Sequence, residues 1–138
     1  MVEIDAKDGK NVFYLPKGTD YTAVMELPDE GDEKKRIEKG KINEQLILES
    51  IGKANREGLQ LQGKIRSKTQ QIDPKSVDCV ISAGAMSRSA KPVEDVVNEA
   101  FRMLRPGGLF VFIEPDGGQN GGRSQVISNV LKVLLYIK

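Results

Sequence analysis

The stretch Arg102-Met103-Leu104-Arg105-Pro106-Gly107-Gly108-Leu109-Phe110-Val111-Phe112-Ile113-Glu114 decides the fold. Pro106 cannot continue a helix, and Gly107 or Gly108 can adopt the left-handed conformation that ends one. Residues 109–113 are all apolar, which is typical of a strand buried on both faces of an α/β sheet. The stretch therefore predicts the last turn of a helix, a tight turn and a buried strand.

The composition describes one globular domain over residues 1–138, with 38% hydrophobic and 30% charged residues. The net charge of +1 gives no global field that would attract nucleic acid or an anionic membrane. The chain contains no histidine, which removes the commonest general base, histidine-dependent nucleophile pairs and most zinc sites. We therefore expect no metal site and no histidine chemistry.

The single cysteine, Cys79, lies in a predicted buried strand and is interpreted as a core residue. It excludes an internal disulfide and suits an intracellular, reducing compartment, either the cytoplasm or an organelle interior. The first five residues lack the basic and apolar regions of a signal peptide. Residues 126–137 are interrupted by polar side chains and are shorter than the roughly 20 residues a membrane span needs, so we expect no transmembrane segment.

The periodicity of apolar residues and the positions of helix-ending and turn residues predict the other elements. An apolar stripe at helical spacing supports the helix that leads to Arg105, and period-2 alternation supports the third strand. The glycine-rich residues 116–122 are interpreted as a flexible loop, because no Gly-Lys-Ser/Thr follows that would make a phosphate loop. The predicted strands are 2–4, 21–27, 59–65, 77–81 and 109–113, and the predicted helices are 34–56 (with Ile42, Leu46, Ile47, Ile51 and Ala54 near one face), 92–105 and 124–137.

Residues 76–82, the helix that follows and the Leu-Arg-Pro-Gly-Gly signature resemble strand 4, helix D and strand 5 of class I S-adenosylmethionine-dependent methyltransferases. Within that class the chain is most similar to the branch of ubiquinone-biosynthesis and thiol methyltransferases. The resemblance implies a Rossmann-like α/β fold, with a mainly parallel sheet of about five strands in the order 3-2-1-4-5 and flanking helices. The last two strands of the family's sheet, beside strand five, are not predicted in this chain.

The resemblance also implies where a cofactor would bind. The family's loop after strand one reads acidic-x-Gly-x-Gly-x-Gly, and here that frame places Asp5 and Lys7 at two glycine positions. These residues add bulk and charge where the methionine portion of S-adenosylmethionine would lie, and a non-glycine residue there would cost roughly 1–2 kcal/mol if its φ is positive. Register puts Met25 at the family's ribose-binding acidic position, with Glu26 one step along. The degenerate cofactor-binding set is Glu3, Asp5, Lys7, Gly9, Glu26, Ser67 and Ser82.

A sheet without its last two strands leaves strand 109–113 as a long apolar edge, and such edges aggregate unless they are covered. The predicted helix 124–137 is apolar around much of its circumference, so it too calls for burial. We therefore expect a protein partner that covers strand Leu109–Ile113 and helix Ser124–Ile137.

Two functions follow from the resemblance. The first is a non-catalytic methyltransferase-like pseudoenzyme that acts as an accessory or scaffold subunit of a larger assembly, with no cofactor and no catalytic residue. The second is an active S-adenosylmethionine-dependent methyltransferase on a small molecule such as a thiol, lipid or quinone precursor, with Ser82, Ala83 and Gly84 lining the acceptor side. Because a fold does not carry its chemistry with it, the resemblance alone leaves both open.

Overall fold

A computed structural model of the protein describes residues 1–26, 31–89 and 91–114, together with the backbone of 134–137. The strands form one sheet in the order β3-β2-β1-β4-β5-β6, in which β1 to β5 run parallel. Short 3-10 helices occupy Lys10–Tyr14 and Thr69–Gln71. The elements are β1 Val2–Ile4, β2 Asp20–Val24, α1 Glu33–Arg56, β3 Gln62–Arg66, β4 Val77–Ala83, α2 Ala85–Arg88, α3 Val93–Met103, β5 Leu104–Ile113 and β6 Leu134–Ile137.

The predicted five-strand order is confirmed, but the far end of the sheet differs from the prediction. β6 pairs antiparallel with β5, from Leu109 opposite Ile137 to Phe112 opposite Leu134. The prediction that strand 109–113 is an open edge waiting for a partner is therefore wrong, because the chain itself supplies its neighbour. The predicted helix is also wrong over residues 134–137, and residues 124–133 lie outside the described part of the chain. A short apolar run suits a strand or a buried helix equally well by periodicity.

The junction of α3 and β5 is tighter than a helix, a turn and a strand in succession. α3 ends at Met103, and Leu104 is already extended and paired with Val77. The pairing advances two positions along β4, from Val77 to Cys79, while it advances five along β5, from Leu104 to Leu109, so Pro106 to Gly108 form an irregularity inside the strand. A Cβ on Gly108 would lie 2.9 Å from the Arg105 carbonyl oxygen, which leaves no room for a side chain.

The two faces of the sheet carry separate apolar clusters. One cluster packs beneath α3 and includes Val96, Ala100 and Phe110. The other packs beneath α1, where the buried helical residues are Gly40, Ile47, Ile51 and Ala54.

One prediction about α1 is corrected: Ile42 and Leu46 are 51% and 39% exposed and do not share the buried face. Within the described part of the chain, no helix is long and apolar enough to cross a bilayer.

Gly9 is fixed by the packing of α1 against the loop after β1. Its φ is +69°, and a Cβ there would lie 3.1 Å from the Ile47 Cα and 3.3 Å from the Ser50 Cβ. The Ser50 hydroxyl also donates to the Asp8 carbonyl at 2.8 Å. Close approach of the helix backbone is therefore sufficient to explain a glycine at this position.

We expect Gly9→Ala to lower the free energy of unfolding by roughly 2–4 kcal/mol, because it combines a left-handed backbone with crowding against α1. Gly18→Ala is the matched control, since Gly18 has a φ of +78° and nothing within 4 Å of its added Cβ. Urea denaturation of both variants isolates the crowding, and equal losses of stability would contradict this account of Gly9.

Candidate functional site

The switch point of the sheet lies between β1 and β4. These strands are neighbours, with Ile4 opposite Ser82, and their carboxyl ends open at the same edge. The connection after β1 leads to β2 on one side, and the connection after β4 leads to β5 on the other side. A crevice therefore forms between the two connections, beyond the carboxyl ends of β1 and β4. The residues that follow each strand therefore face one another across this crevice.

The loop after β1 keeps a left-handed backbone at three alternate residues. Asp5, Lys7 and Gly9 have φ values of +53°, +48° and +69°. Backbone hydrogen bonds hold this path: the Ala6 N–H donates to the Val24 carbonyl at 3.0 Å, and the Gly9 N–H to the Ala6 carbonyl at 2.8 Å. Two non-glycine side chains thus stand in a conformation that favours glycine, which costs roughly 1–2 kcal/mol at each.

An ion pair spans the crevice from Asp5 to Arg88. Nε and Nη2 of Arg88 donate to the same Asp5 carboxylate oxygen at 3.0 and 2.8 Å. The Arg88 side chain is only 33% exposed and the Asp5 side chain 22%. Burial raises the pKa of Asp5, although the hydrogen bond and charge of Arg88 act to lower it. The guanidinium lies over Gly84, where an added Cβ would collide with Arg88 Nη1.

A second ion pair lies beside the first. Glu26, just beyond β2, has a φ of +42° and its carboxylate is 3.6 Å from the Lys91 ammonium. Both residues line a cleft of about 300 Å³ between the 3-10 helix Thr69–Gln71 and α3, with Ile4 among its other lining residues. The Thr69 hydroxyl is buried and faces the Glu99 carboxylate without a well-aligned hydrogen bond. The cleft is at the lower end of the volumes that hold small molecules.

Glu3 points into the protein on the α1 side of the sheet. It is 1% exposed, and its carboxylate accepts hydrogen bonds from the Tyr21 hydroxyl at 2.5 Å and from Asn11 Nδ2 at 2.6 Å. Burial raises the pKa of Glu3, against the lowering effect of these two bonds. Burial likewise raises the pKa of Tyr21. Glu3 therefore ties β1 to β2 and to the 3-10 helix Lys10–Tyr14.

The two predicted serines occupy different surroundings. Ser67 is exposed and its N–H and hydroxyl both donate to the Gln71 side-chain oxygen. Ser82 is fully buried and its hydroxyl donates to Glu114 at 3.4 Å. Glu114 also accepts from the N–H groups of Met86 and Ser87.

The structure thus brings some predicted site residues together and separates others. Asp5, Glu26 and Ser82 gather at the carboxyl ends of β1, β2 and β4. The others lie elsewhere, with Glu3 and Gly9 directed at the α1 side, Lys7 exposed to solvent and Ser67 on the outer end of β3.

Sequence reasoning missed the two cations Arg88 and Lys91 and the carboxylate of Glu114. Spacing gave one usable signal: both cations follow β4 within a short connection whose strand ends at the switch point. Across residues 1–26, 31–89 and 91–114, no group of three or more acidic, cysteine or histidine side chains is arranged to hold a metal ion.

The strand order and the crevice at the switch point are those of a Rossmann-like methyltransferase fold. Residues 35–112 match the family described as "Methyltransferase domain", and this match covers more than half of the chain. The chain therefore belongs to that family. A comparison with curated proteins gave no match.

Solved structures of methyltransferases share this fold. A putative S-adenosyl-L-methionine-dependent methyltransferase from Methanococcus maripaludis is 19% identical, with a TM-score of 0.56 over 83% of this chain and 47% of that chain. A SAM-dependent methyltransferase from Aquifex aeolicus is 12% identical, with a TM-score of 0.58 over 89% of this chain and 60% of that one. A complex between the Haloferax volcanii Trm112 methyltransferase activator and a putative methyltransferase is 17% identical, with a TM-score of 0.50 over 82% and 43%. The chain thus spans about half the length of these structures.

We expect Glu3→Gln to change how stability depends on pH. The folded-state pKa of Glu3 is raised above its ordinary value of 4.5, so the native protein binds more protons than the unfolded chain and loses stability as pH rises through that range. Glutamine cannot ionise, so the stability of the variant relative to wild type should increase as pH rises above 4.5.

Thermal unfolding from pH 4 to pH 8 measures this difference. Glu38→Gln, at an exposed position of α1, is the control. A difference between Glu3→Gln and wild type that stays constant with pH would contradict the account of a destabilising buried carboxylate.

Proposed function

We propose that this chain is a non-catalytic methyltransferase-like domain that acts as an accessory or scaffold subunit of a larger assembly. The observation that carries the proposal is the ion pair between Asp5 and Arg88, which bridges the crevice at the switch point. In this fold class the ligand binds in that crevice. Here the Asp5 and Arg88 side chains meet across it and pair with each other's charge.

The residues present do not fit the methionine portion of S-adenosylmethionine. Of the two family glycine positions that the resemblance assigns, Asp5 directs its carboxylate at Arg88 across the crevice, whereas the Lys7 side chain is exposed to solvent. An incoming amino-acid group would have to separate Asp5 from Arg88. Breaking a partly buried pair leaves a charge without its partner, which is costly.

The acidic side chain nearest the ribose position is also engaged. Glu26 is paired with Lys91 and only 16% of its side chain is exposed. The family match, moreover, begins at residue 35, beyond the loop that would carry the cofactor contacts. We therefore derive no reaction step from S-adenosylmethionine, and propose no catalytic residue.

Two observations support a protein partner. Among the described residues, four of the six exposed large apolar side chains lie on α1: Ile37, Ile42, Leu46 and Leu48. At helical spacing they form two pairs on different faces, Ile37 with Leu48 and Ile42 with Leu46, and each pair is a small exposed apolar surface that is available to a partner. The methyltransferase from Haloferax volcanii that shares this fold is in complex with an activator protein.

The alternative is an active methyltransferase on a small-molecule acceptor. It is favoured by the cleft of about 300 Å³ that remains open between Glu26, Thr69 and α3. Methyl transfer needs positioning more than a general base when the acceptor is already nucleophilic, so the lack of histidine does not oppose it.

Isothermal titration with S-adenosylmethionine and with S-adenosylhomocysteine separates the two functions. We expect no heat from the wild-type protein at millimolar ligand, because binding must first break the Asp5–Arg88 pair. A triple variant, Asp5→Gly with Lys7→Gly and Arg88→Ala, restores glycines and removes the guanidinium, and its affinity for S-adenosylhomocysteine should rise by about tenfold or more.

Arg105→Ala is the matched control, because it breaks the Arg105–Asp78 ion pair at the opposite end of the sheet. It should leave the titration unchanged. Micromolar binding of either ligand to the wild-type protein would contradict the scaffold proposal and favour an active methyltransferase.

A further inference from the structure

Glu114, the first residue after β5, joins three parts of the site. Its Oε1 accepts from the Met86 N–H at 3.1 Å and from the Ser82 hydroxyl at 3.4 Å, and its Oε2 accepts from the Ser87 N–H at 3.0 Å. The neighbouring Ile113 carbonyl accepts from the Gly84 N–H at 2.7 Å. The end of β5 therefore binds the backbone of the segment that follows β4.

The segment that follows β4 is too short to be a stable helix by itself. α2 has four residues, and one isolated helical turn is unstable because each early hydrogen bond orders several residues. Ala85 and Met86 are buried in the cluster beneath α3 and fix one side of α2. The hydrogen bonds to the Glu114 carboxylate fix its opening turn, and a bond to a charged acceptor is stronger than one to a neutral acceptor.

Arg88 closes this helix, directly after the two residues whose N–H groups Glu114 binds. The guanidinium that binds Asp5 also lies over Gly84, the residue that precedes α2. The direction of the Arg88 side chain is thus set by the backbone that Glu114 anchors.

We propose that Glu114 is a positioning residue that keeps Arg88 on Asp5, so that closure of the switch-point crevice is controlled from the carboxyl end of β5. This assignment rests on the closed crevice proposed above and adds how it is regulated. A change that draws the Glu114 carboxylate away from α2 frees Arg88 and opens the crevice, while the sheet stays intact.

Hydrogen exchange measured by NMR tests this without any ligand. In Glu114→Ala we expect the N–H groups of Met86 and Ser87 and the Nε–H of Arg88 to exchange about tenfold faster or more, because the charged acceptor is lost. Glu114→Gln keeps one acceptor oxygen and the side-chain shape, so it should give a smaller increase in the same three groups. The amides of β1 and β4 should be unchanged in both variants, which also reports that the sheet is folded.

Asp32→Ala is the matched control, since Asp32 is a carboxylate that accepts from a helix N–H, that of Lys34, at the distant start of α1. It should leave the Arg88 Nε–H unchanged. If Glu114→Ala and Glu114→Gln speed up Met86 and Ser87 but not the Arg88 Nε–H, Glu114 does not position Arg88 and the inference is overturned.

A titration with S-adenosylhomocysteine separates this inference from the proposed function. Micromolar binding to the wild type overturns the closed crevice itself, whatever the exchange rates are. If the wild type does not bind, Glu114→Ala should raise affinity by about tenfold. The same substitution in an Arg88→Ala background should add nothing, because Glu114 acts through Arg88. Additive gains in that double variant would contradict the positioning role.

Discussion

The site depends on the placement of β1, a strand of three residues that is hydrogen-bonded on both sides. Its pairing with β2 and β4 puts the carboxyl ends of three strands side by side. Residues 83 positions apart, Asp5 and Arg88, then meet across the crevice. Their contact is a consequence of topology, since the order of strands brings together what the chain keeps apart.

The main helices could be predicted from sequence because apolar periodicity and turn residues report local structure directly, and the strand order followed from the resemblance to class I methyltransferases. The far edge of the sheet could not, since an apolar run such as Leu134–Ile137 fits more than one element. The exposure of Ile42 and Leu46 follows from helical spacing, since Ile42 lies about 140° and 180° around the helix from the buried Ile47 and Ile51, and Leu46 is close to Ile42. The Arg88 contact was invisible for a different reason: an ion pair between distant residues leaves no periodic signal.

In the loop after β1, neither the glycine that is present nor the non-glycine residues beside it indicate by themselves whether a cofactor binds. Gly9 is accounted for by the closeness of Ile47 and Ser50 on α1, so its presence is no evidence of a bound cofactor. Asp5 and Lys7, which the resemblance sets at two of the family's glycine positions, have a left-handed backbone. The left-handed backbone of the loop is therefore compatible with non-glycine residues, and the side chain that bears on what the crevice can accept is Asp5, which is paired with Arg88.

Strain at a non-glycine residue with positive φ persists only where surrounding contacts over-determine it. At Asp5 those contacts are the two hydrogen bonds from Arg88, which hold the side chain, and the Ala6 N–H bond to Val24, which holds the backbone beside it. An exposed ion pair contributes little to stability, about 0–1 kcal/mol, but this pair is two-thirds or more buried and bound to a strained residue. Removing Arg88 would therefore free the Asp5 side chain and weaken the support of its strained backbone, so the proposed closure of the crevice and the conformation at Asp5 depend on one interaction.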